Sequence, residues 1–473
     1  MAYSEISSPQ KKALNINLDS SIYGSFAEIG AGQEVARVFF QAGGASGTIA
    51  KTISAYDMSF SDNIYGKSDS SRYVSKDRLL KMLHTEAKEL THVLKDSISS
   101  DTRFFVFADT VTTINYSKDK EGQGWMGVRF QLTPKGKANE VVLHVRMLEN
   151  DSLHQQKTIG ILGTNLIYAC FYHYLHPNAF LQSLLDSLSR DQIEITMISM
   201  KGPDLDYVDN RILGVQLVKN KMTPAIIFNS DGELQEPANM LYKKNVMAFR
   251  GNFRPITYVG LDMIKSSYRI FKKDPDHQKG QTITLCEMTL NNLLEDGDFS
   301  EQDFLDRVDI LNGIGQNVMV SNYKYFYKLA IYFSQFRIKN LRIVIGFPTL
   351  EKILEKKYYT ELKGGILEAF GKLFSENMKL YVYPSLDTTT NSLKSSCDVS
   401  LPKDIDHLYK YLIENKQILD IKGANKDKMN FSQANVLSLI KKGDHKWQEM
   451  VSKYVSDQIT SKKLFGYKEK NTK

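Results

Sequence analysis

A chain of 473 residues is too long for one ordinary core, so two domains are expected. With 42% hydrophobic and 24% charged residues and only 11 prolines, the composition is globular throughout and excludes a disordered or fibrous chain. The net charge of +7 comes from 61 basic and 54 acidic residues that are interspersed, so the basic stripe of a nucleic-acid binder is missing and no nucleic-acid partner is expected.

Cys170, Cys286 and Cys397 are odd in number, far apart and form no CxxC, which argues against disulfides or structural zinc and for a reducing cytoplasm. Cys170 and Cys286 sit in apolar runs, the setting of an inert buried thiol. The opening MAYSEISSPQKKALN has no apolar signal-peptide core. The longest apolar stretch, Ile159 to Leu175, carries His173 and several small polar groups and reads as a buried helix, so no membrane partner is expected.

Along the chain, a polar leader to about Ser21 precedes the glycine-rich segment Glu28 to Asp57. QEVARVFF reads as helix, and Gly43, Gly44 and Gly47 could turn backbone N–H groups toward an anion. Thr48 would cap a second helix over Ile49 to Tyr56, with Lys51 one turn in, which is the physics of a phosphate cradle. The spacing matches neither GxxxxGK[ST] nor a strand followed by GxGxxG, and a tight helix-to-helix turn with glycines for close packing is the favoured reading; Lys51, Asp57 and Asp62 then become surface charges. A helix over Asp77 to Lys95 leads into three strands, RFFVFADTVTTIN, GWMGVRFQL and EVVLHVRML. The separators KDKEGQG and TPKGKAN are turn chemistry, so an antiparallel meander is expected. Helices over Leu153 to Leu175 and Phe180 to Leu188 close an α+β domain of residues 1–190, with the boundary near Ser189 to Gln192.

From Ile193 the pattern changes to eight short apolar runs, each followed by a helix-like stretch. The runs begin at Ile193, Ala225, Val246, Thr282, Asn317, Arg342, Lys379 and Ile418. The helices cover Val208 to Val218, Asn239 to Lys244, Leu261 to Phe271, Glu301 to Leu311, Tyr323 to Phe336, Leu350 to Tyr359, Ile366 to Phe374 and Ile405 to Glu414. Continuously apolar strands alternating with helices imply an α/β fold with a parallel sheet covered on both faces. Eight units over residues 191–445 suit a (β/α)8 barrel; an open doubly wound sheet is the alternative. Residues 446–473 read as a C-terminal helix and a basic tail.

A barrel puts its chemistry at the strand ends, which selects Lys201, Asn229, Asp231, Arg250, Asn252, Arg254, Glu287, Ser321, Asn322 and Ser385. Arg250 and Arg254 in RGNFRP are placed to fork a phosphate or carboxylate. Glu287, an acid in the apolar run TITLCEM, is a candidate general base or a buried carboxylate paired with a neighbouring cation. Gly364 and Gly365 precede the helix ILEAFGKLF and offer either an anion site or a simple turn. His173 and His176 lack ligand partners nearby, and no HExxH or GxSxG occurs, so no metal is expected. Nothing in the chain names a cofactor.

The stretches AEIGAGQEVARVFFQAGGASGTIAKTISAYD, YKKNVMAFRGNFRPIT, GGILEAFGKLF and the terminal LFGY together resemble a family of bacterial cytosolic proteins that goes under two names, nicotinate-nucleotide adenylyltransferase and TonB-dependent receptor. The resemblance spans Lys11 to Tyr467. The first name implies an N-terminal Rossmann strand with an HxGH-type motif, which this chain lacks, although ISSDTR (Ile98 to Arg103) is similar to that class's ISSTxxR. The second implies an exported outer-membrane β-barrel, at odds with this start and this helical pattern. Two functions follow as expectations. One is an enzyme taking a phosphorylated or nucleotide-like small molecule at the strand ends. The other is a non-catalytic scaffold or homo-oligomer assembled through segments such as NYKYFYKLAIYF.

Overall fold

The computed structural model describes residues 7–67, 72–94, 99–275, 277, 281–294, 297–375, 377–387 and 389–468. It divides into two α/β units, Met1–Thr223 and Pro224–Lys473.

The first unit is built on a six-stranded sheet. Its strands are β1 (Ile22–Gly30), β2 (Ile49–Ser54), β3 (Arg103–Thr112), β4 (Gly122–Phe130), β5 (Asn139–Met147) and β6 (Ile193–Lys201), in the order β2-β1-β3-β4-β5-β6. β1 is parallel to β2 and β3; from β3 onward every pair is antiparallel, so the expected meander is present and gains a fourth strand. Phe26, Phe39, Phe105 and Phe107 form the core on one face, with Phe26 5.2–5.9 Å from the other three rings. The helices Gln33–Ala42 and Ser152–Tyr172 cover it. They approach closely because Gly160 and Gly163 carry no side chain where a Cβ would meet Glu34 and Val35. The helix Lys76–Val93 covers the other face, Leu79 and Leu83 lying against Gly127.

Three expectations are corrected here. The residues before QEVARVFF form strand β1, and the anticipated helix over Ile49 to Tyr56 is strand β2. The boundary falls between Thr223 and Pro224, because the run at Ile193 pairs with β5 and belongs to this first sheet. The ISSDTR string begins outside the described residues, as Ile98 is not among them, and its Arg103 opens β3.

The second unit holds the other seven runs. They form β7 (Ala225–Phe228), β9 (Asn245–Arg250), β10 (Thr282–Thr289), β11 (Asn317–Ser321), β12 (Asn340–Gly346), β13 (Met378–Tyr383) and β16 (Ile418–Asp420). They are joined by a short β8 (Leu234–Gln235) and a separate hairpin of β14 (Ser385–Asp387) and β15 (Ser392–Lys394). The sheet order is β16-β13-β12-β9-β10-β11-β7-β8. It is open, so the expected closed barrel is not what forms: one of the eight runs serves the other sheet, and β7 runs antiparallel to β11 at an edge. Counting only the parallel strands, the order is 3-2-1-4-5-6, that of a doubly wound sheet, with its switch point between β9 and β12. Val246 and Ala248 are buried in the core beneath the helices Phe326–Ser334, Gly365–Leu373 and Lys403–Glu414. The other face is covered by Tyr258–Phe271 and Glu301–Gly313, which bring Phe271 to Tyr381 and Phe304 to Phe228. The C-terminal helix is Lys453–Lys462, preceded by buried Trp447, which packs on Tyr467; the last five residues of the basic tail lie outside the described residues.

Candidate functional site

In a doubly wound sheet the strands' carboxyl ends diverge at the switch point and leave a crevice there. In this unit a cleft of about 400 Å³ opens at the ends of β9, β10, β11 and β12. Arg250 ends β9, Thr289 ends β10, Lys324, Tyr325 and Phe326 follow β11, and Gly346 ends β12. Thr349, Lys352, Ile353, Tyr358 and Tyr359 come from the segment after β12, and Asn291 and Asn292 from the turn of helix after β10.

Arg250 is held rigidly in this wall. It lies opposite Glu287 in the parallel register of β9 and β10, and its Nε and Nη2 each donate to a Glu287 carboxylate oxygen at 2.8 Å. Nη1 donates to the Lys324 carbonyl at 3.1 Å, and the guanidinium lies 4.3 Å from the centre of the Phe326 ring. Ser321, at the end of β11, donates to the same carboxylate at 2.6 Å. Glu287 is fully buried. A carboxylate with this many committed acceptor sites orients an arginine, so of its two expected roles the paired carboxylate is the one realised, and Glu287 does not face the cleft as a base.

The cleft wall carries positive charge in excess. Arg250 has its counterion, whereas among the described residues Lys324 and Lys352 form no ion pair and no carboxylate lines the cleft. Tyr325 and Tyr358 are half-buried, with rings 6.4 Å apart; the Lys324 ammonium lies over the Tyr325 ring at 5.3 Å, and the Lys357 ammonium lies over the Tyr358 ring at 5.1 Å and bonds its hydroxyl. Tyr359 is buried and donates to the Ile353 carbonyl at 2.6 Å, and burial pushes its hydroxyl upward.

The other sequence-selected residues are dispersed. Arg254 donates to Asp303 at 2.5 Å, and Asp303 also pairs with Arg307, which in turn donates to the Asn252 carbonyl. That triad fastens the loop after β9 to the helix Glu301–Gly313, so Arg250 and Arg254 serve different carboxylates and make no fork. Asn229 and Asp231 follow β7, whose reversed direction puts them at the opposite edge of the sheet, where Asn229 organises the turn to β8. Asn322 is exposed, its N–H bonded to the Pro224 carbonyl, and Ser385 opens the separate hairpin. Lys201 ends β6 in the first unit, opposite Glu140.

The glycine cluster makes no cradle. Gly43 ends the helix Gln33–Ala42, and Gly44 turns the chain in the left-handed region at φ 73°. With Gly47 they lead into a strand, so Thr48 caps no helix and instead donates to the Asn17 carbonyl at 2.9 Å. Lys51 is claimed by Glu86 and Glu89 at 2.9 and 2.8 Å. Gly364 and Gly365 do precede a helix, but its first free N–H, at Gly364, is taken by the Glu368 carboxylate at 2.9 Å.

Sequence reasoning passed over one further constellation in the first unit. Glu28 on β1 and Asp109 on β3 are register neighbours, both buried, and among the described residues neither is paired with a cation. Burial raises the Glu28 carboxyl to about 7; burial and then the Glu28 charge push Asp109 well above the carboxylate range. No hydrogen bond of normal geometry reaches the Asp109 oxygens, which lie against Gly32 at the start of the helix Gln33–Ala42. His144 is buried between Thr196 and Gln123 at 2.6 and 3.0 Å, and burial lowers it to about 3. Among the described residues no group of three or more His, Cys, Asp or Glu is placed to hold a metal, and no helix is long and apolar enough to cross a membrane.

No family model matches the chain, and neither does any curated protein. Solved structures similar to part of it include the competence/damage inducible protein CihA of Agrobacterium tumefaciens, at 17% identity over 35% of this chain and 98% of that one, with a TM-score of 0.25. The competence or damage-inducible protein of Enterobacter asburiae matches at 10% identity over 34% and 95%, TM-score 0.24. A competence-damaged protein (CinA) superfamily member of Escherichia coli matches at 13% over 39% and 95%, TM-score 0.24. Likeness at this level assigns neither a fold nor an activity to this chain.

Proposed function

We propose that the protein is a cytoplasmic small-molecule binder, and that the second unit takes a phosphorylated ligand in the crevice at the switch point. One observation carries this reading: three cations, Arg250, Lys324 and Lys352, line a cleft with no carboxylate among the described residues. Among the described residues neither lysine forms an ion pair, and a cationic wall at the carboxyl edge of a doubly wound sheet suits a dianion. The Arg250 guanidinium, fixed by Glu287 and Ser321, supplies preorganised donors, which lowers the ordering cost of binding. Its three free cysteines accord with a reducing compartment. The lining offers recognition groups, namely ammonium, guanidinium, amide, hydroxyl and ring, so the proposal is one of binding, with any reaction undefined.

The test is calorimetric titration of the full chain with inorganic phosphate, ribose 5-phosphate and AMP, repeated on Lys352→Ala and Lys324→Ala. Each lysine removed should weaken binding about tenfold, the value of one charge-assisted hydrogen bond, whereas Lys442→Ala, far along the chain on an exposed helix end, should leave it unchanged. Binding indifferent to both cleft lysines, or none at all, would remove this reading and leave the scaffold alternative.

A further inference from the structure

The cleft has a second kind of surface besides its charge, and phosphate alone does not account for it. Tyr325 and Tyr358 present half-buried rings inclined at 53°. Exposed lysines cross these two rings, Lys324 over Tyr325 at 5.3 Å and Lys357 over Tyr358 at 5.1 Å, and a planar ligand would displace those flexible chains, whereas Phe326 is held by the Arg250 guanidinium and Tyr359 by its bond to Ile353 and by contact with Phe370 at 6.1 Å. On the β10 side, Asn292 uses its carbonyl oxygen to accept from the N–H and hydroxyl of Thr289, which leaves its amide N–H₂ free. Among the described residues the side-chain amide of Asn291 beside it makes no hydrogen bond, and it has both a donor and an acceptor to offer. A side-chain amide of this kind matches the paired donor and acceptor on the edge of a planar heterocycle. At about 400 Å³ the cleft lies toward the lower end of the range for small-molecule pockets, enough for one ring system with a phosphorylated sugar and not for a long chain.

Resting on the phosphate-binding reading above, we propose that the ligand is a nucleoside phosphate. Its base lies against Tyr325 and Tyr358 within reach of the Asn291 and Asn292 amides, and its phosphate is held by Lys324, Lys352 and Arg250. The base then contributes affinity by stacking, and the amides decide which base is taken. Sugar phosphates lack the ring, and nucleosides lack the charge.

The four ribonucleoside 5′-monophosphates, ribose 5-phosphate and adenosine, titrated into the full chain, separate these contributions. At least one monophosphate should bind more tightly than ribose 5-phosphate by roughly five- to hundredfold, the range expected for one stacked base. Tyr358→Leu should erase most of that advantage while leaving ribose 5-phosphate affinity unchanged, and Tyr358→Phe, which keeps the ring, should retain it. The unchanged ribose 5-phosphate binding also reports that the leucine variant is folded. Lys352→Ala should weaken both ligands alike. If ribose 5-phosphate binds as well as every nucleotide, or Tyr358→Leu weakens both equally, the nucleoside assignment fails while the phosphate site stands. If no phosphorylated compound binds, both fail.

Discussion

Glu28 and Asp109 face each other across adjacent parallel strands of the first sheet, as Arg250 and Glu287 do in the second. All four stand toward the carboxyl ends of those strands, and Glu28, Asp109 and Glu287 are buried. In the second unit the desolvated carboxylate meets a guanidinium through two bonds of 2.8 Å and a serine hydroxyl, so loss of water is offset by charge and hydrogen bonding. In the first unit acid meets acid with no cation paired to either, and the cheaper solution is to keep a proton, which is why burial raises both carboxyls. The same backbone position thus yields a fixed charge in one unit and a titrating group in the other.

The largest effect should come from breaking the fixed charge. Arg250→Met leaves Glu287 buried without a partner and should cost about 3–5 kcal/mol in the second unit. Amide hydrogen exchange over β9 and β10 in the full chain reports the loss locally. The double variant Arg250→Met, Glu287→Gln should recover a substantial part of it, because the stranded charge is gone. A double variant as unstable as the single one would show that Arg250 acts by packing on Phe326 and not through its ion pair.

Next in size is the pH response of the first unit. Glu28 ordinarily titrates near 4.5 and here near 7, so between those values the folded state holds a proton that the unfolded state has released. Stability supplied by this group is full below about 4.5 and is lost as pH rises through 7, by roughly 3 kcal/mol. His144 runs the other way: lowered to about 3, it resists protonation in the fold and costs stability as pH falls below 6.5. The two slopes oppose each other over much of the same window, so the quantity to measure is the difference between the protein and Glu28→Gln. Exchange protection of β1 and β3 relative to that variant should decline from pH 5 to pH 8, while β9 and β10 show no such difference. A flat difference would mean that Glu28 is solvated or paired in solution.

Sequence periodicity located all eight apolar runs as strands, most to within a residue or two, since Val246 to Phe249 and their equivalents are buried on both faces. It did not show which sheet each run joins. The run at Ile193 is as apolar as the rest but pairs with β5, and partner choice depends on contacts far apart in sequence. Gly24, Ser25 and Glu28 interrupt the apolar pattern of β1, so periodicity does not mark it as a strand, and Gly24 is there because Phe105 fills the space a side chain would need. Strand-end reasoning reached Arg250, Glu287 and Ser321, which do converge, but misplaced Asp231, since strand direction is not written in composition. Lys324, Tyr325, Lys352 and Tyr358 escaped it because they lie three to twelve residues past the strand ends, before or within the helical turns that follow. The clustered SNYKYFY after β11 was the available signal, and it had been assigned to an interface.

The smallest expected effect tests how tightly the acid pair is enclosed. Gly32 has φ −91°, which any residue adopts, so its need for glycine is one of space alone: a methyl group there would overlap the Asp109 carboxylate. Gly32→Ala should therefore cost about 1–3 kcal/mol by overpacking. Asp109→Gly removes the obstruction and also an unsatisfied buried acid, so combining it with Gly32→Ala should lose less than the two separate costs added together. A coupling of about 0.5–3 kcal/mol in that cycle is expected for groups in contact. The coupling should be present at pH 5 as well as at pH 8, because steric overlap does not titrate. Additive costs would place the Asp109 carboxylate away from Gly32, and with it remove the enclosure that keeps the first unit's acids protonated while the second unit's acid is paired.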